Sequence, residues 1–406
     1  MTAPAARQTL ATALVLALGA AVSLGLARFA YALLLPPMRA DLGWSYFTAG
    51  AMGTANAAGY LAGALAAPAL TARTGTRAAF LGGALATAVL LALHAATRDT
   101  ALLYALRTAS GAASALVFVG GGLLAARLSL AHADGQGPNA GLVLGLYYGG
   151  TGLGIVASAA IVPPLVTAPL TPSSSGHVIA GALAGWPAAW LALAALSALA
   201  AAVMAGRLRA LPQAAASAGP KGAFAARPFA FGLAAYFMFG LGYIGYMTFI
   251  VTLLREQALG SGAVAAFYTV LGIGVMASPF LWAQLLQRHR DGRPLATLSA
   301  LLAVATALPV LWPGTVSAFA SGALFGAVFL SLVASTTALV RHHLPPAQWA
   351  AGVSAFTIVF AIGQIIGPSV VGLLADGPGG LRLGLGLSAL ALAAGAALAL
   401  GQRGPA

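Results

Sequence analysis

Between residues 10 and 401 the sequence divides into twelve apolar runs, each about long enough to cross a bilayer core, separated by short polar breaks. The runs predict helices near 10–37, 45–70, 78–96, 101–127, 140–166, 187–206, 228–254, 261–287, 295–312, 316–341, 351–374 and 381–401. In lipid a spanning segment must satisfy its backbone internally, so runs of this length fold as helices. Composition agrees, with 60% hydrophobic residues and 6% charged, against about 25% charged in a soluble domain. The expected fold class is all-α, a membrane protein of twelve transmembrane helices. The first run follows Arg7 and resembles a signal peptide, but it continues to Leu35. It is expected to stay as a helix.

A repeat at about half the chain length organises these runs. Gly25-Leu-Ala-Arg28-Phe-Ala-Tyr31 recurs as Gly240-Leu-Gly-Tyr243-Ile-Gly-Tyr246. Arg73-Thr-Gly75-Thr-Arg77 recurs as Arg290-Asp-Gly292-Arg293 at nearly the same offset. Two matches in register predict two pseudo-symmetric six-helix bundles, residues 1–206 and 228–406. Residues 207–227, with Pro212, Pro220 and Lys221, read as the linker. Internal repeats of this kind build many secondary transporters.

Lys/Arg bias sets the orientation. With the N-terminus inside, Arg7, Arg73, Arg77, Arg127, Arg207, Arg209, Lys221, Arg227, Arg288, Arg290, Arg293, Arg341 and Arg403 are cytoplasmic. Arg39, Arg98, Arg255 and Arg382 are outside, with the acids Asp41, Asp99, Glu256 and Asp376; Asp134 and Asp291 are inside. Both termini are expected in the cytoplasm, in a bacterial inner membrane. The net charge of +13 does not point to nucleic acid, because the arginines stand singly between apolar runs and form no basic stripe. Absence of cysteine removes disulfides and thiolate chemistry.

Two charges remain within spans, Arg28 and Arg107. Each costs about 2.5–3.5 kcal/mol on insertion scales, so neither is expected to face lipid. Their positions along helices 1 and 4 place them at similar depth in the outer half. No acid lies at that depth to pair with them. Their counterions are backbone carbonyls, water or an anionic ligand, so each arginine is either a packing device or part of a substrate site. Tyr31 shares the Arg28 face, and Tyr243 and Tyr246 occupy the corresponding places in the second repeat. Asn56 and Tyr60 in helix 2, Tyr147 with Tyr148 in helix 5, and Gln364 in helix 11 complete the candidate substrate contacts, with interhelical bonding or packing as the alternative. Tyr268 and Trp282 are weaker candidates. Glycine is concentrated in helix 5, including Gly149 and Gly152, and in helix 11 as Gly363, Gly367 and Pro368. These positions read either as tight static packing or as sliding interfaces between halves.

With these residues assembled, the chain resembles the major facilitator superfamily over essentially its whole length. The resemblance implies two six-helix bundles and a central cavity that opens alternately to each side. Arg73, Gly75 and Arg77 match the superfamily's signature after helix 2, while Pro68, Ala72 and Thr76 replace its Gly, Asp and first basic residue. That loop normally helps to latch one conformation, so Arg73, Gly75, Arg77, Arg290, Gly292 and Arg293 join the candidate conformational residues. Arg107-Thr-Ala-Ser-Gly111 resembles the helix 4 Arg-x-x-x-Gly signature. Helix 5 lacks the Gly-Pro pattern common in drug/proton antiporters. More narrowly, Gly25 to Tyr31 with Pro36-Pro-Met38, Asn56 to Gly63, Gly240 to Tyr246 and Gly363 to Pro368 look like the YbfB/YjiJ-type branch.

The expected function is secondary active transport of a small organic solute, with an organic anion favoured by the two buried cations. Efflux of neutral or cationic compounds, sugars or amino acids is the alternative, and a non-transporting sensor a weaker one. An enzyme would need a nucleophile with a base, or metal ligands, at membrane depth. The six histidines fall in loops or at helix ends, so neither catalysis nor a metal or cofactor is expected. The expected partners are a small-molecule substrate, the lipid bilayer and a coupling proton if transport is proton-driven; the expected state is a monomer.

Overall fold

A computed structural model describes residues 3–130, 140–167, 184–208 and 224–404. The loop near Ser174, the linker near Gln213, His132, Asp134, His177 and Lys221 lie outside the described residues. Among the described residues there is no strand. Helix α1 is continuous in three parts, Ala3–Ala20, Ala21–Phe29 and Tyr31–Leu42. It is followed by α2 (Tyr46–Thr74), α3 (Thr76–His94), α4 (Thr100–Leu130), α5 (Ala140–Thr167) and α6 (Trp186–Leu208). The second repeat holds α7 (Ala230–Glu256), α8 (Ser261–Leu281, resumed at Ala283–Arg288), α9 (Arg293–Leu311), α10 (Thr315–His343), α11 (Trp349–Ala375) and α12 (Gly380–Leu400).

Eleven of these helices are long and apolar enough to cross a membrane by length and composition. The twelfth, α2, has 29 residues, about 43 Å at 1.5 Å per residue, against a hydrocarbon core of about 30 Å. It is built mainly from Ala, Gly and Thr, with three leucines and no valine or isoleucine. Small side chains let neighbouring helices approach closely. A Cβ on Gly63 would lie 2.7 Å from the Cα of Ala112 in α4. The chain is thus an all-α, multi-pass membrane protein. Helix ends fall within about four residues of those predicted by the apolar runs, except in α1, which extends beyond the expected 10–37 at both ends, from Ala3 to Leu42.

The helices form two compact units. One comprises the described residues of Met1–Gly43, Ala58–Ala216 and Gly260–Gly272. The other comprises those of Trp44–Ala57, Ser217–Leu259 and Ile273–Ala406. The first turns of α2 therefore group with the second repeat, and those of α8 with the first. These two segments hold equivalent positions in the repeat.

The first unit packs Leu16, Phe80, Val117, Tyr147 and Met204 into a buried cluster from α1, α3, α4, α5 and α6. Helices α1 and α5 meet backbone to backbone, since a Cβ on Gly25 would lie 2.5 Å from the Cα of Gly154. At one helix end, Asp41 accepts from Trp186 Nε1 at 2.8 Å and pairs with Arg98 at 3.4 Å. The second unit is centred on aromatic rings from α7, α10 and α11. Tyr243 stacks on Phe239, Phe329 and Phe360 with centroids 4.8, 5.1 and 5.4 Å away. Such pairs contribute about 0.5–1.5 kcal/mol beyond burial.

Candidate functional site

The middle of α1 is not an α-helix. Ala21–Phe29 is a π-helix, and its backbone closes with the amide of Ala30 donating to the carbonyl of Gly25, five residues back, at 3.0 Å. All nine residues are buried, Arg28 among them. Wide turns of this kind are rare and occur mostly as short bulges, often at functional sites. Widening a turn shifts carbonyls away from their regular partners, and inside a membrane they need other donors. Two long side chains donate to carbonyls at the end of this stretch. Arg107 of α4 donates from Nη1 to the carbonyl of Ala27 at 3.0 Å. Tyr268 of α8 donates its hydroxyl to the carbonyl of Phe29 at 2.6 Å. Arg28 stands between the two residues so held.

Both guanidinium groups also face rings. Arg107 lies 4.5 Å from the centroid of Tyr31, and Arg28 lies 5.4 Å from that of Tyr60. A desolvated cation–π contact contributes on the order of 2 kcal/mol, which offsets much of the insertion cost of an arginine. Tyr60 begins a ring cluster. It lies 6.5 Å from Phe118, which is 5.9 Å from Tyr147 and 5.6 Å from Tyr148. Tyr147 is fully buried and donates to the carbonyl of Phe118 at 2.6 Å. Tyr60, Phe118 and Tyr148 are only half-buried. The first unit thus holds a cation against the Tyr60 ring, from which part-exposed rings continue through Phe118 to Tyr148, while Tyr31, Arg107 and Tyr147 are buried.

Five candidate contacts therefore converge in the first unit: Arg28, Tyr31, Tyr60, Arg107 and Tyr147. The other four, Asn56, Tyr243, Tyr246 and Gln364, belong to the second unit, where all are buried. Tyr246 is a core residue. Its ring stacks on Phe325 at 4.1 Å, and its hydroxyl bonds Ser321, which donates in turn to the carbonyl of Ala305.

The conformational candidates divide similarly. Gly75 has φ +86°, a backbone that favours glycine at the turn into α3. Arg73 is exposed, and Arg77 donates to the carbonyl of Leu208 at 3.2 Å. Arg293 pairs with Asp291 at 3.3 Å on the surface, an interaction of about 0–1 kcal/mol. Gly292 donates its amide to the carbonyl of Gln402, and the carbonyl of Arg290 accepts from His343. Gly149 is buried in α5, and the carbonyl of Gly152 faces Gly272 of α8, where a Cβ would come within 2.9 Å. Gly363 and Gly367 seat α11 against the backbone of α7 at Phe237 and Leu241, while Pro368 faces Gly50 and Gly53 of α2.

Sequence reasoning missed the π-helix and Phe118, rated Tyr268 a weaker candidate and named Tyr148 only beside Tyr147. Tyr268 interrupting an apolar run was the available signal. Nothing in its neighbourhood names a partner 239 positions away. Among the described residues no group of three His, Asp or Glu side chains could hold a metal ion.

No curated protein sequence matches the chain. Solved structures share its architecture. A bacterial homologue of the human lysosomal transporter Spinster, described as inward-facing and unoccupied, aligns with TM-score 0.74 and 14% identity over 97% of each chain. The nucleoside transporter NupG aligns with TM-score 0.66 and 15% identity, covering 96% of this chain and 98% of its own. At such identities the likeness establishes the fold alone. The family model described as "Uncharacterised MFS-type transporter YbfB" matches residues 20–400. That match takes in both repeats, the π-helical Arg28 segment and the Arg107 helix, and it places the chain in the YbfB-type family of major facilitator superfamily transporters.

Proposed function

We propose that this protein is a secondary carrier for a small organic anion with an apolar, ring-like portion. The observation that carries the reading is Arg28, held by the π-helix 5.4 Å from the Tyr60 ring, from which a run of part-exposed rings continues through Phe118 to Tyr148. In a low-dielectric site one added charge contact contributes a few kcal/mol, and ring faces favour an apolar body over a hydrated ion. Arg28 and Tyr60 are the proposed cargo contacts. Arg107, Tyr31 and Tyr147 support them. Residues 1–206 and 228–406 act as the moving halves, joined through 207–227, and transport proceeds by alternating access. The carrier works as a monomer in the bacterial inner membrane with both termini in the cytoplasm. Coupling protons travel on the cargo or titrate at helix ends, because the six acids are absent from the span interiors.

A second reading has its own support. Arg107 already has the Ala27 carbonyl and the Tyr31 ring, and Arg28 already has the Tyr60 ring. If both are structural, the cargo is a neutral solute, as for the nucleoside transporter of the same fold. Purified protein is screened by thermal shift against organic acids, nucleosides, amino acids, sugars and cationic drugs, and hits are tested for flux in proteoliposomes. An aromatic or branched carboxylate that stabilises wild type but not Arg28→Gln supports the anion reading. A neutral or cationic cargo moved equally well by both overturns it.

A further inference from the structure

Of the six acidic residues, two converge on one residue of α2. The carboxylate of Asp376, just past the end of α11, accepts the amide of Tyr46 at 2.7 Å on Oδ1 and that of Phe47 at 2.9 Å on Oδ2. The hydroxyl of Tyr46 donates to the carboxylate of Glu256, the last residue of α7. Amides at the start of a helix have no partner within it, and a carboxylate there also meets the positive end of the helix dipole. An N-cap normally comes from the residue just before the helix. Ser45 fills that place here, accepting the Thr48 amide at 3.1 Å, and Asp376 adds a second cap on the two preceding amides from 330 positions away, in the other repeat.

The seam below this clasp is built to part. Thr54 Oγ1 reaches the carbonyl of Ile365 at 2.6 Å and Ser369 Oγ at 2.8 Å. Gly50 and Gly53 face Pro368, and Gly372 faces the backbone of Tyr46. Small residues and single hydroxyls line the α2–α11 face of the contact, which lets the two backbones part easily there, while Trp44 and Met52 are the large buried side chains of the segment. Each polar group in it can bind water once apart.

We propose that Asp376, Glu256 and Tyr46 form a releasable clasp that holds Trp44–Ala57 of the first repeat on the second and opens during the conformational cycle. The inference does not depend on the cargo. Opening exposes Met52, which is 1% exposed with the clasp made. Because the chain has no cysteine, Met52→Cys gives a single reporter thiol. Its labelling by a soluble maleimide is compared in the parent, Asp376→Asn, Glu256→Gln and the double variant. Hydrogen exchange of a peptide spanning residues 44–57 is followed in the same proteins without the reporter. Losing charge-assisted bonds at the cap should speed labelling about tenfold in Asp376→Asn and further in the double variant. Exchange should rise across the whole segment. Tyr46→Phe keeps the ring near Phe249, 6.3 Å away, and removes only the bond to Glu256. It gives a smaller rise and serves if the Asp376 variants fail to fold. Faster exchange confined to Tyr46 and Phe47, with Met52→Cys labelling unchanged, would show a local helix cap and overturn the clasp. Parental labelling rates in Tyr46→Phe and Glu256→Gln would overturn it as well.

Discussion

Arg107 reaches from α4 to α1 and donates Nη1 to the carbonyl of Ala27, one residue before Arg28, at 3.0 Å. The bond makes two arginines that look alike in sequence unequal in role. Arg107 is 2% exposed, with one nitrogen committed to backbone and its plane against Tyr31. Arg28 is carried on the turn that Arg107 braces. Arg107→Gln leaves the Ala27 carbonyl without its guanidinium donor and removes the ring contact. A hydrogen bond from a charged donor contributes about 1.5–3 kcal/mol. Arg107→Gln should therefore lower the unfolding temperature of detergent-solubilised protein clearly, and Arg28→Gln much less. Equal Tm values for the two variants would contradict this division.

Tyr268 gives an independent handle on the same turn. Tyr268→Phe removes a 2.6 Å donor from the carbonyl of Phe29 and changes no packing volume. The expected loss is about 1–1.5 kcal/mol, the upper part of the range for one intramolecular hydrogen bond. Tyr246→Phe is the control. It removes the bond to Ser321, but Ser321 keeps its bond to the carbonyl of Ala305. That loss should be about 1 kcal/mol or less. Chemical or thermal denaturation of both variants tests the order, and a reversed order would count against the bracing role.

Much of this arrangement could be read from the residue order. Spans are legible because lipid imposes one length and one polarity on every helix. Even α2, poor in large apolar residues, reads as one of the apolar runs, at 45–70. Arg28 and Arg107 stood out because charge at membrane depth is expensive. What stayed hidden depends on hydrogen bonds between distant residues. A π-turn changes which amide meets which carbonyl while leaving the local residue types unaltered, so Ala21–Phe29 read as ordinary helix. Repeat symmetry fixes position but not neighbours. Tyr246 corresponds to Tyr31 in sequence, yet its hydroxyl and ring are taken up by Ser321 and Phe325.

Gly25 and Gly154 set the approach of α1 to α5. A methyl group on Gly25 would stand 2.5 Å from the Gly154 Cα and 3.0 Å from the Ile155 amide nitrogen, both backbone atoms that cannot rotate away. Gly25→Ala should separate the helices and loosen the π-turn, costing about 1–3 kcal/mol by overpacking. Gly82→Ala in α3 has nothing within 4 Å of the new methyl. It should be neutral or slightly stabilising, since Ala is the better helix former. Expression level and Tm of the pair provide the check, and a tolerated Gly25→Ala would show that α1 and α5 are free to shift.

The last prediction is orientation. Thirteen of the nineteen basic residues fall on one side of the span pattern and four on the other, with Arg28 and Arg107 between. Positive residues near span ends are retained in the cytoplasm. Several are also bound at helix ends on that side. Arg77 reaches Leu208 at the end of α6, and Arg127 near the end of α4 reaches Thr76 at 3.3 Å. The opposite side carries Asp41 with Arg98, and the Asp376–Tyr46 contact. Alkaline phosphatase folds to an active form only outside the cytoplasm, so fusion after Ser174 should give activity and fusion after Gln213 none. A fluorescent protein fused at the same two points should give the complementary pattern. Activity at Gln213 with none at Ser174 would invert the molecule in the membrane, and the Asp376–Tyr46 contact would then face the cytoplasm.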